Sequence, residues 1–209
     1  ANMRRTAKPI HDMLRWFAST QIRNVACLGG NIVTASPISD MNPLLCCHGA
    51  TIVLASRPRA DGGIARRRVR VSDFFLGYRR VDRGETEVIE RVEIPLVRSR
   101  FEYVSPFQQD RRREDDISIV TSGMRIRLRP EDGDGGMRWA IEEVVIAYGG
   151  MAPMTQLATG AMEYMVGRTF GEETFVGARR RLLEEFDMPD DVPGGQAQYR
   201  MTLAARCVS

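Results

Sequence analysis

Apolar residues recur every three or four positions near the start of the chain. This spacing places one apolar face on a helix and predicts a helix over residues 10–22 that leads to a glycine pair. The residues of that face are Ile10, Met13, Leu14, Phe17 and Ala18.

Three later segments predict strands: the first is a short apolar run, the second is rich in arginine, and apolar and polar residues alternate in the third. The segments are residues 50–56, 64–71 and 87–95. In the third, the alternation predicts one shared face for Val88, Glu90, Val92 and Ile94. We expect the three strands to form an antiparallel sheet.

The alternation stops over residues 95–100, which predicts a boundary between two domains, residues 1–96 and 97–209. Beyond it the pattern predicts strands, a hairpin turn over residues 130–136 and two helices. The strands are residues 101–109, 117–128 and 139–148, and the helices are residues 160–165 and 172–186. On the second helix, charged residues would cover a buried face of Phe175, Ala178, Leu182, Leu183 and Phe186. The fold class expected is α+β, with antiparallel sheets and packed helices.

Composition narrows the function classes. The chain has 209 residues, 43% of them hydrophobic, and a net charge of +3 from 30 basic and 27 acidic residues. This balance gives little support to nucleic-acid binding. No apolar run approaches the ~18 residues of a membrane span, so we expect no membrane partner and a cytoplasmic or organelle-matrix protein.

The cysteines and histidines argue against a metal or iron–sulfur site in this chain. Its four cysteines have no C-x-x-C spacing, and only two histidines, His11 and His48, are present. Cys46 and Cys47 follow two leucines and are interpreted as small buried hydrophobes.

A glycine pair followed by small polar residues is the candidate chemical motif. Residues 29–43 read Gly-Gly-Asn-Ile-Val-Thr-Ala-Ser-Pro-Ile-Ser-Asp-Met-Asn-Pro. Glycines let backbone N–H groups approach a phosphate, and a single carboxylate suits sugar hydroxyls. The same spacing also fits a tight turn capped by serine and aspartate, so the motif alone leaves both interpretations open.

Further segments favour the phosphate-binding interpretation of this motif. Residues 112–117 read Arg-Arg-Glu-Asp-Asp-Ile, and residues 148–152 read Tyr-Gly-Gly-Met-Ala. With the glycine segment and shorter matches at residues 14–18, 122–125, 193–195 and 199–200, they closely resemble the eukaryotic xanthine dehydrogenases. The resemblance covers nearly the whole chain. It implies part of a PCMH-type FAD-binding domain followed by a small flavoprotein C-terminal-type α+β domain.

The resemblance implies an electron-relay segment. In that family a molybdenum site oxidises hypoxanthine and xanthine to urate, 2Fe-2S clusters carry the electrons, and FAD passes them to NAD or oxygen. The molybdopterin, the clusters and a further glycine-rich FAD loop would lie in regions outside this chain, so we expect a fragment without activity of its own. The family also implies a homodimer and a cytoplasmic location, with the peroxisome as an alternative.

The resemblance also assigns cofactor-binding residues. Phe17 matches an aromatic residue near the flavin, and Asp40 matches a sugar-binding carboxylate. Ile89 and Gln108 match two further flavin contacts. The phosphate-binding segment is Cys27, Leu28, Gly29, Gly30 and Asn31. The family usually has serine in place of Cys27 and lysine in place of Gln108, so we expect flavin binding to survive better than redox tuning. No catalytic residue and no metal ligand is assigned.

The charged run at residues 111–117 has two interpretations. It is either a solvated loop or, as the resemblance suggests, a loop whose charges beside the flavin affect access of the NAD phosphates. Aldehyde oxidases generally lack this run. A noncatalytic basic module is the alternative from a different class, based on residues 66–68 and 111–113, but these runs have no interleaved aromatic residues.

Overall fold

The computed structural model of the chain describes residues 1–58, 62–112, 115–133 and 136–208. Arg113 and Glu114 of the charged run, and Asp134 and Gly135 of the expected turn, lie outside these residues.

The first part of the chain is helical, but the single helix expected over residues 10–22 is wrong. Helix α1 spans Asn2–Trp16 and α2 spans Thr20–Val25. Phe17 is extended, and Ala18 has a φ of 45° in the left-handed region, so the chain turns between the two helices. The Ser19 hydroxyl then caps α2 by accepting a hydrogen bond from the Ile22 N–H.

The glycine pair lies in a helix, so the tight turn that its sequence also fitted does not form there. Helix α3 spans Leu28–Thr34, and Ala35 ends it with a φ of 46°. Gly29 and Gly30 are helical within α3, so positive φ is not what makes glycine suitable there. A second helix, α4, spans Met41–His48 and ends at Gly49, whose φ is 68°.

The first sheet follows α4. Strand β1 (Thr51–Ala55) pairs on one side with β2 (Arg66–Arg70) and on the other with β5 (Val88–Glu93), both antiparallel. This confirms the three expected strands. A short helix, α5 (Val71–Phe74), and a small hairpin of β3 (Phe75–Gly77) and β4 (Arg80–Val81) connect β2 to β5.

The face expected for β5 is confirmed at Val92 and Ile94 but wrong at Val88 and Glu90, because the strand contains a bulge. Val53 pairs with Arg91 but Leu54 pairs with Ile89, so Glu90 is the extra residue. The bulge reverses the alternation: Ile89, Val92 and Ile94 pack on the core, while Val88 is exposed.

The second sheet has four antiparallel strands in chain order. They are β6 (Glu102–Gln109), β7 (Val120–Gly133), β8 (Gly136–Gly149) and β9 (Gln156–Leu157). The turn expected over residues 130–136 is shorter than predicted, since Pro130 still pairs with Trp139. Proline is tolerated because β6 pairs with β7 only up to Arg127, which leaves Pro130 at a sheet edge.

Helices cover both faces of this second sheet. Helices α6 (Thr159–Met165), α7 (Glu172–Glu185) and α8 (Ala197–Cys207) pack on one face, where the Tyr148 hydroxyl donates 2.8 Å to the Ala204 carbonyl. Helix α4 crosses the other face so closely that a Cβ added at Gly123 would lie 2.5 Å from the Pro43 carbonyl oxygen. The α+β class is therefore confirmed.

The expected buried face of α7 is confirmed at three positions. Ala178, Leu182 and Phe186 are buried, and Phe175 packs at the edge of their cluster. Leu183 is 36% exposed, because it follows Leu182 by one residue and points about 100° away around the helix.

Candidate functional site

A cavity of about 670 Å³ opens beside the first three helices. Its walls are mainly apolar and come from α1, the turn after it, α2 and the start of α3. Five predicted cofactor-binding residues line it: Phe17, Cys27, Leu28, Gly30 and Asn31. The structure therefore brings together residues that the sequence placed on both sides of α2.

The first turn of α3 presents unused amides beside this cavity. The Cys27 carbonyl accepts from the Asn31 N–H at 3.0 Å. The amides of residues 28–30 precede that bond and have no acceptor within the helix. Gly30 has room on its cavity side, since an added Cβ would meet only the Cβ of Cys27, at 3.8 Å. Small residues thus keep the backbone of this turn accessible.

Ile89 lies behind the same turn, outside the residues that line the cavity. A Cβ added at Gly29 would lie 3.7 Å from the Ile89 Cβ. Ile89 is partly buried against the core of the first sheet. Its position suits support of α3 from the β5 strand.

Asp40 is buried between the two halves of the chain. Its Oδ1 accepts a 2.6 Å hydrogen bond from the Ser118 hydroxyl. Burial raises the pKa of Asp40 to about 6, although the Ser118 hydrogen bond acts in the opposite direction. The hydroxyl of the preceding residue, Ser39, donates a 3.1 Å hydrogen bond to Oδ1 of Asn31. This bond connects the region of Asp40 to the cavity.

Gln108 belongs to the same polar cluster and to a second cleft. Its Nε2 donates to the Ser118 hydroxyl at 3.1 Å, so Ser118 connects Gln108 with Asp40. Gln108 also lines a cleft of about 430 Å³ together with Trp16, Asp110 and Arg112. The structure places Asp40 and Gln108 with each other, but not among the residues that line the larger cavity.

Ser118 and Arg23 were not identified from the sequence. Ser118 follows the charged run, where a serine by itself carries no signal of contact with a residue 78 positions away. Arg23 lines the large cavity and donates to the backbone of the turn that carries Phe17. A single arginine within a short helix gave no indication of that contact.

The cysteines and His48 contribute to the core. Cys46 and Cys47 are buried free thiols, which confirms their interpretation as small hydrophobes. Burial raises the pKa of Cys46 to about 12 and also raises that of Cys47. Burial and the nearby Arg125 lower the pKa of His48 to about 4.

The arginine run at residues 66–68 is paired with carboxylates. Arg66 contacts Glu90, Arg67 contacts Asp82 and Glu87, and Arg68 contacts Glu93. These pairs reduce the charge available to a polyanion.

The described residues offer neither a metal centre nor a membrane-spanning helix. Across 1–58, 62–112, 115–133 and 136–208, no cluster of three His, Cys, Asp or Glu side chains could hold a metal ion. Within the same ranges, the helices are too short or too polar to cross a bilayer.

Two protein-family models match the chain. Residues 1–97 match the FAD binding domain in molybdopterin dehydrogenase, and residues 105–209 match the CO dehydrogenase flavoprotein C-terminal domain.

Curated relatives include enzymes with different substrates in their names. The chain is 45% identical over 193 residues to xanthine dehydrogenase/oxidase from Gallus gallus, covering 92% of the chain and 13% of that protein. It is 41% identical over 192 residues to nicotinate hydroxylase from Emericella nidulans, covering 91% of the chain and 13% of that protein. The chain thus spans about one eighth of the length of these relatives.

A solved structure shares the fold. Carbon monoxide dehydrogenase from Hydrogenophaga pseudoflava superposes with a TM-score of 0.79 at 22% identity, covering 99% of this chain and 66% of that one. The agreement supports the expected α+β fold.

Proposed function

We propose, since the chain belongs to the flavoprotein family of molybdopterin dehydrogenases, that it forms the FAD-binding electron-relay segment of a xanthine dehydrogenase-type enzyme. The observation that carries this proposal is the cavity of about 670 Å³, which five of the predicted residues line. Its apolar walls and the free amides beside it suit a ligand with a flat ring at one end and phosphates at the other.

Each predicted residue would have a distinct role toward FAD. The Phe17 ring would contact the flavin, and the amides of residues 28–30, in the predicted phosphate-binding segment 27–31, would donate to phosphate oxygens. Asp40 would accept from sugar hydroxyls, and Ile89 would support α3 from behind. Bound FAD supplies two-electron chemistry that can pass electrons to NAD or oxygen.

Gln108 would contact the flavin from the second cleft. Its Nε2 donates to Ser118, so the neutral amide is held in the polar cluster beside the cleft. An amide there has no charge with which to stabilise a reduced, anionic flavin. This supports the expectation that the substitution of lysine by glutamine affects redox tuning more than binding.

The substrate and the other cofactors belong to the proposal as well. The name of the Gallus gallus relative supports a purine substrate, with NAD or oxygen as the electron acceptor. Molybdopterin and 2Fe-2S clusters would be bound by other parts of such an enzyme. We also propose the boundary between the two domains at residues 96 and 97, which the family matches to residues 1–97 and 105–209 support.

A chimera tests the proposal directly. This chain would replace the 193 matched residues of the Gallus gallus enzyme, and the purified protein would be assayed for FAD, molybdenum, iron and xanthine-dependent NADH formation. We expect about one FAD per protomer and NADH formation. A chimera that assembles with molybdenum and iron but contains no FAD would overturn the proposal.

A further inference from the structure

Arg23 holds the turn that carries Phe17. One guanidinium nitrogen, Nη1, donates to the Phe17 carbonyl at 2.7 Å and to the Ala18 carbonyl at 2.6 Å. The other, Nη2, donates to the Thr20 hydroxyl at 3.0 Å. A single side chain on α2 therefore binds successive carbonyls of the chain between α1 and α2.

The turn needs such support because its backbone is unusual. Ala18 has a φ of 45°, and left-handed geometry is unfavourable for a residue with a Cβ. The Phe17 and Ala18 carbonyls also lie beyond the last turn of α1, where the helix offers them no donor. The Arg23 contacts supply donors to both carbonyls at the point of the strain.

The contacts of Arg23 indicate positioning and not charge pairing. Each of the three hydrogen bonds goes to a neutral oxygen, although elsewhere in this chain arginines such as Arg66 and Arg67 bind carboxylates. The planar guanidinium binds both carbonyls through one nitrogen and the Thr20 hydroxyl through the other at fixed geometry, whereas a lysine has a single nitrogen for these acceptors. Arg23 also lines the cavity beside Phe17, so the turn and the cavity wall are one unit.

We propose that Arg23 is a positioning residue of the flavin site: it fixes the turn at Phe17 and Ala18 and so keeps the Phe17 ring at the cavity wall. This inference rests on the proposed function, because it assumes that FAD occupies the cavity. The reason for the arrangement is preorganisation. A ring already held in place loses little freedom when the flavin binds.

The test uses the chimera with Arg23→Met, Arg23→Lys and, as a control, Arg15→Met. Arg15 stacks on the Trp16 ring, so its removal takes away a nearby positive charge without removing a donor from the turn. FAD affinity is measured after removal and titration of the flavin. Hydrogen exchange at residues 17–20 is followed by mass spectrometry in the FAD-free protein. We expect Arg23→Met to weaken FAD binding by about tenfold, which corresponds to about 1.4 kcal/mol, and to accelerate exchange at the turn.

The Ala18→Gly variant distinguishes the loss of a positioned turn from the loss of the Arg23 charge. Glycine adopts positive φ without strain, so it should restore much of the FAD affinity in the Arg23→Met background and change little by itself. Arg23→Lys should lose affinity in spite of its charge. If Arg23→Lys binds FAD like the unaltered chain, or if Ala18→Gly restores nothing, the inference is overturned.

The exchange measurement keeps this inference separate from the proposed function. An unaltered chimera that binds no FAD would contradict the proposed function and, with it, a flavin role for Arg23. If the unaltered chimera binds FAD while Arg23→Met leaves both exchange and affinity unchanged, only the positioning role fails.

Discussion

The Ser118 hydroxyl donates a 2.6 Å hydrogen bond to the buried carboxylate of Asp40. The two residues are 78 positions apart and come from the two proposed domains. Ser118 also accepts from Gln108, so one hydroxyl connects the predicted sugar-binding carboxylate with a predicted flavin contact. The proposed cofactor site therefore includes residues of both proposed domains.

Replacing Ser118 by alanine should make FAD binding more sensitive to pH. The lost hydrogen bond favours the ionised carboxylate, so the pKa of Asp40 should rise above about 6. We expect affinity to fall about threefold to tenfold at pH 7 and much less at pH 9. FAD titrations across this range in the chimera measure the effect. Ser105→Ala, at an exposed position of β6, is the control, and equal pH profiles for both variants would contradict the prediction.

Asp40→Asn should stabilise the FAD-free protein at neutral pH. The folded pKa of about 6 lies above the ordinary 3.8, so the favourable contribution of Asp40 is complete below pH 3.8 and is lost as pH rises through 6. Asparagine avoids that loss, and the gain above pH 6 should reach up to about 3 kcal/mol. Thermal unfolding at pH 7.5 and pH 4 checks this, with exposed Asp190→Asn as the control. A gain at pH 4 as large as that at pH 7.5 would refute the titration account.

His48 should reduce stability in mild acid. Its folded pKa of about 4 lies below the ordinary 6.5, so its contribution is complete above pH 6.5 and is lost as pH falls to about 4. The loss should reach up to about 3 kcal/mol. His48→Gln should flatten the decline, whereas exposed His11→Gln should not. Unfolding is best compared in the Asp40→Asn background, because Asp40 acts in the opposite direction over these pH values. If the free energy of unfolding declines equally with falling pH in the presence and absence of His48, the histidine does not cause the loss of stability.

Gly30→Ala should separate helix stability from ligand binding. Alanine in the middle of α3 avoids the entropy cost of glycine, which favours the folded protein by up to about 1 kcal/mol. The added methyl group has room in the protein but lies at the cavity wall, where it should obstruct a phosphate. We expect a slightly higher melting temperature and weaker FAD binding.

Gly160→Ala in α6 controls for the general effect of alanine in a helix. Gly160 does not line the cavity, and the added Cβ would be 3.3 Å from the end of the Glu185 side chain, which can move away. If Gly30→Ala binds FAD with unchanged affinity, Gly30 does not contact the bound cofactor.

The charged run after β6 should influence the choice of electron acceptor. Arg112 donates through Nη2 to the Asp115 carbonyl at 2.8 Å, and its N–H donates to the Asp116 carboxylate at 2.8 Å. Arg112→Gln and Asp115→Asn change the charge near the cleft that holds Gln108. In the chimera, we expect the ratio of NAD-dependent to oxygen-dependent turnover to change several-fold. The control is Arg129→Gln on the β7–β8 hairpin, which should leave that ratio unaltered. An unaltered ratio in Arg112→Gln and Asp115→Asn as well would contradict a role of the charged run in the choice of acceptor.

The sequence by itself determined the local features. The pattern of apolar residues predicted the strands β1, β2, β5, β6, β7 and β8 and the helices α6 and α7, because alternating and helical spacings reflect burial on one side. It did not predict β9 of the second sheet. The quoted motifs gave the family resemblance and the candidate residues. Periodicity also predicted one helix across Phe17, since a pattern of apolar spacing does not register a single left-handed residue such as Ala18.

Only the tertiary structure decided how these pieces meet. The bulge at Glu90 reverses which side chains of β5 reach the core, and that depends on pairing with β1. The meeting of Asp40 with Ser118, and of Arg23 with the Phe17 turn, depends on how the chain packs. Residue types and spacings specify which groups can form a site. The distances between those groups, and the burial that shifts the pKa of Asp40, arise when the second sheet packs beneath α4.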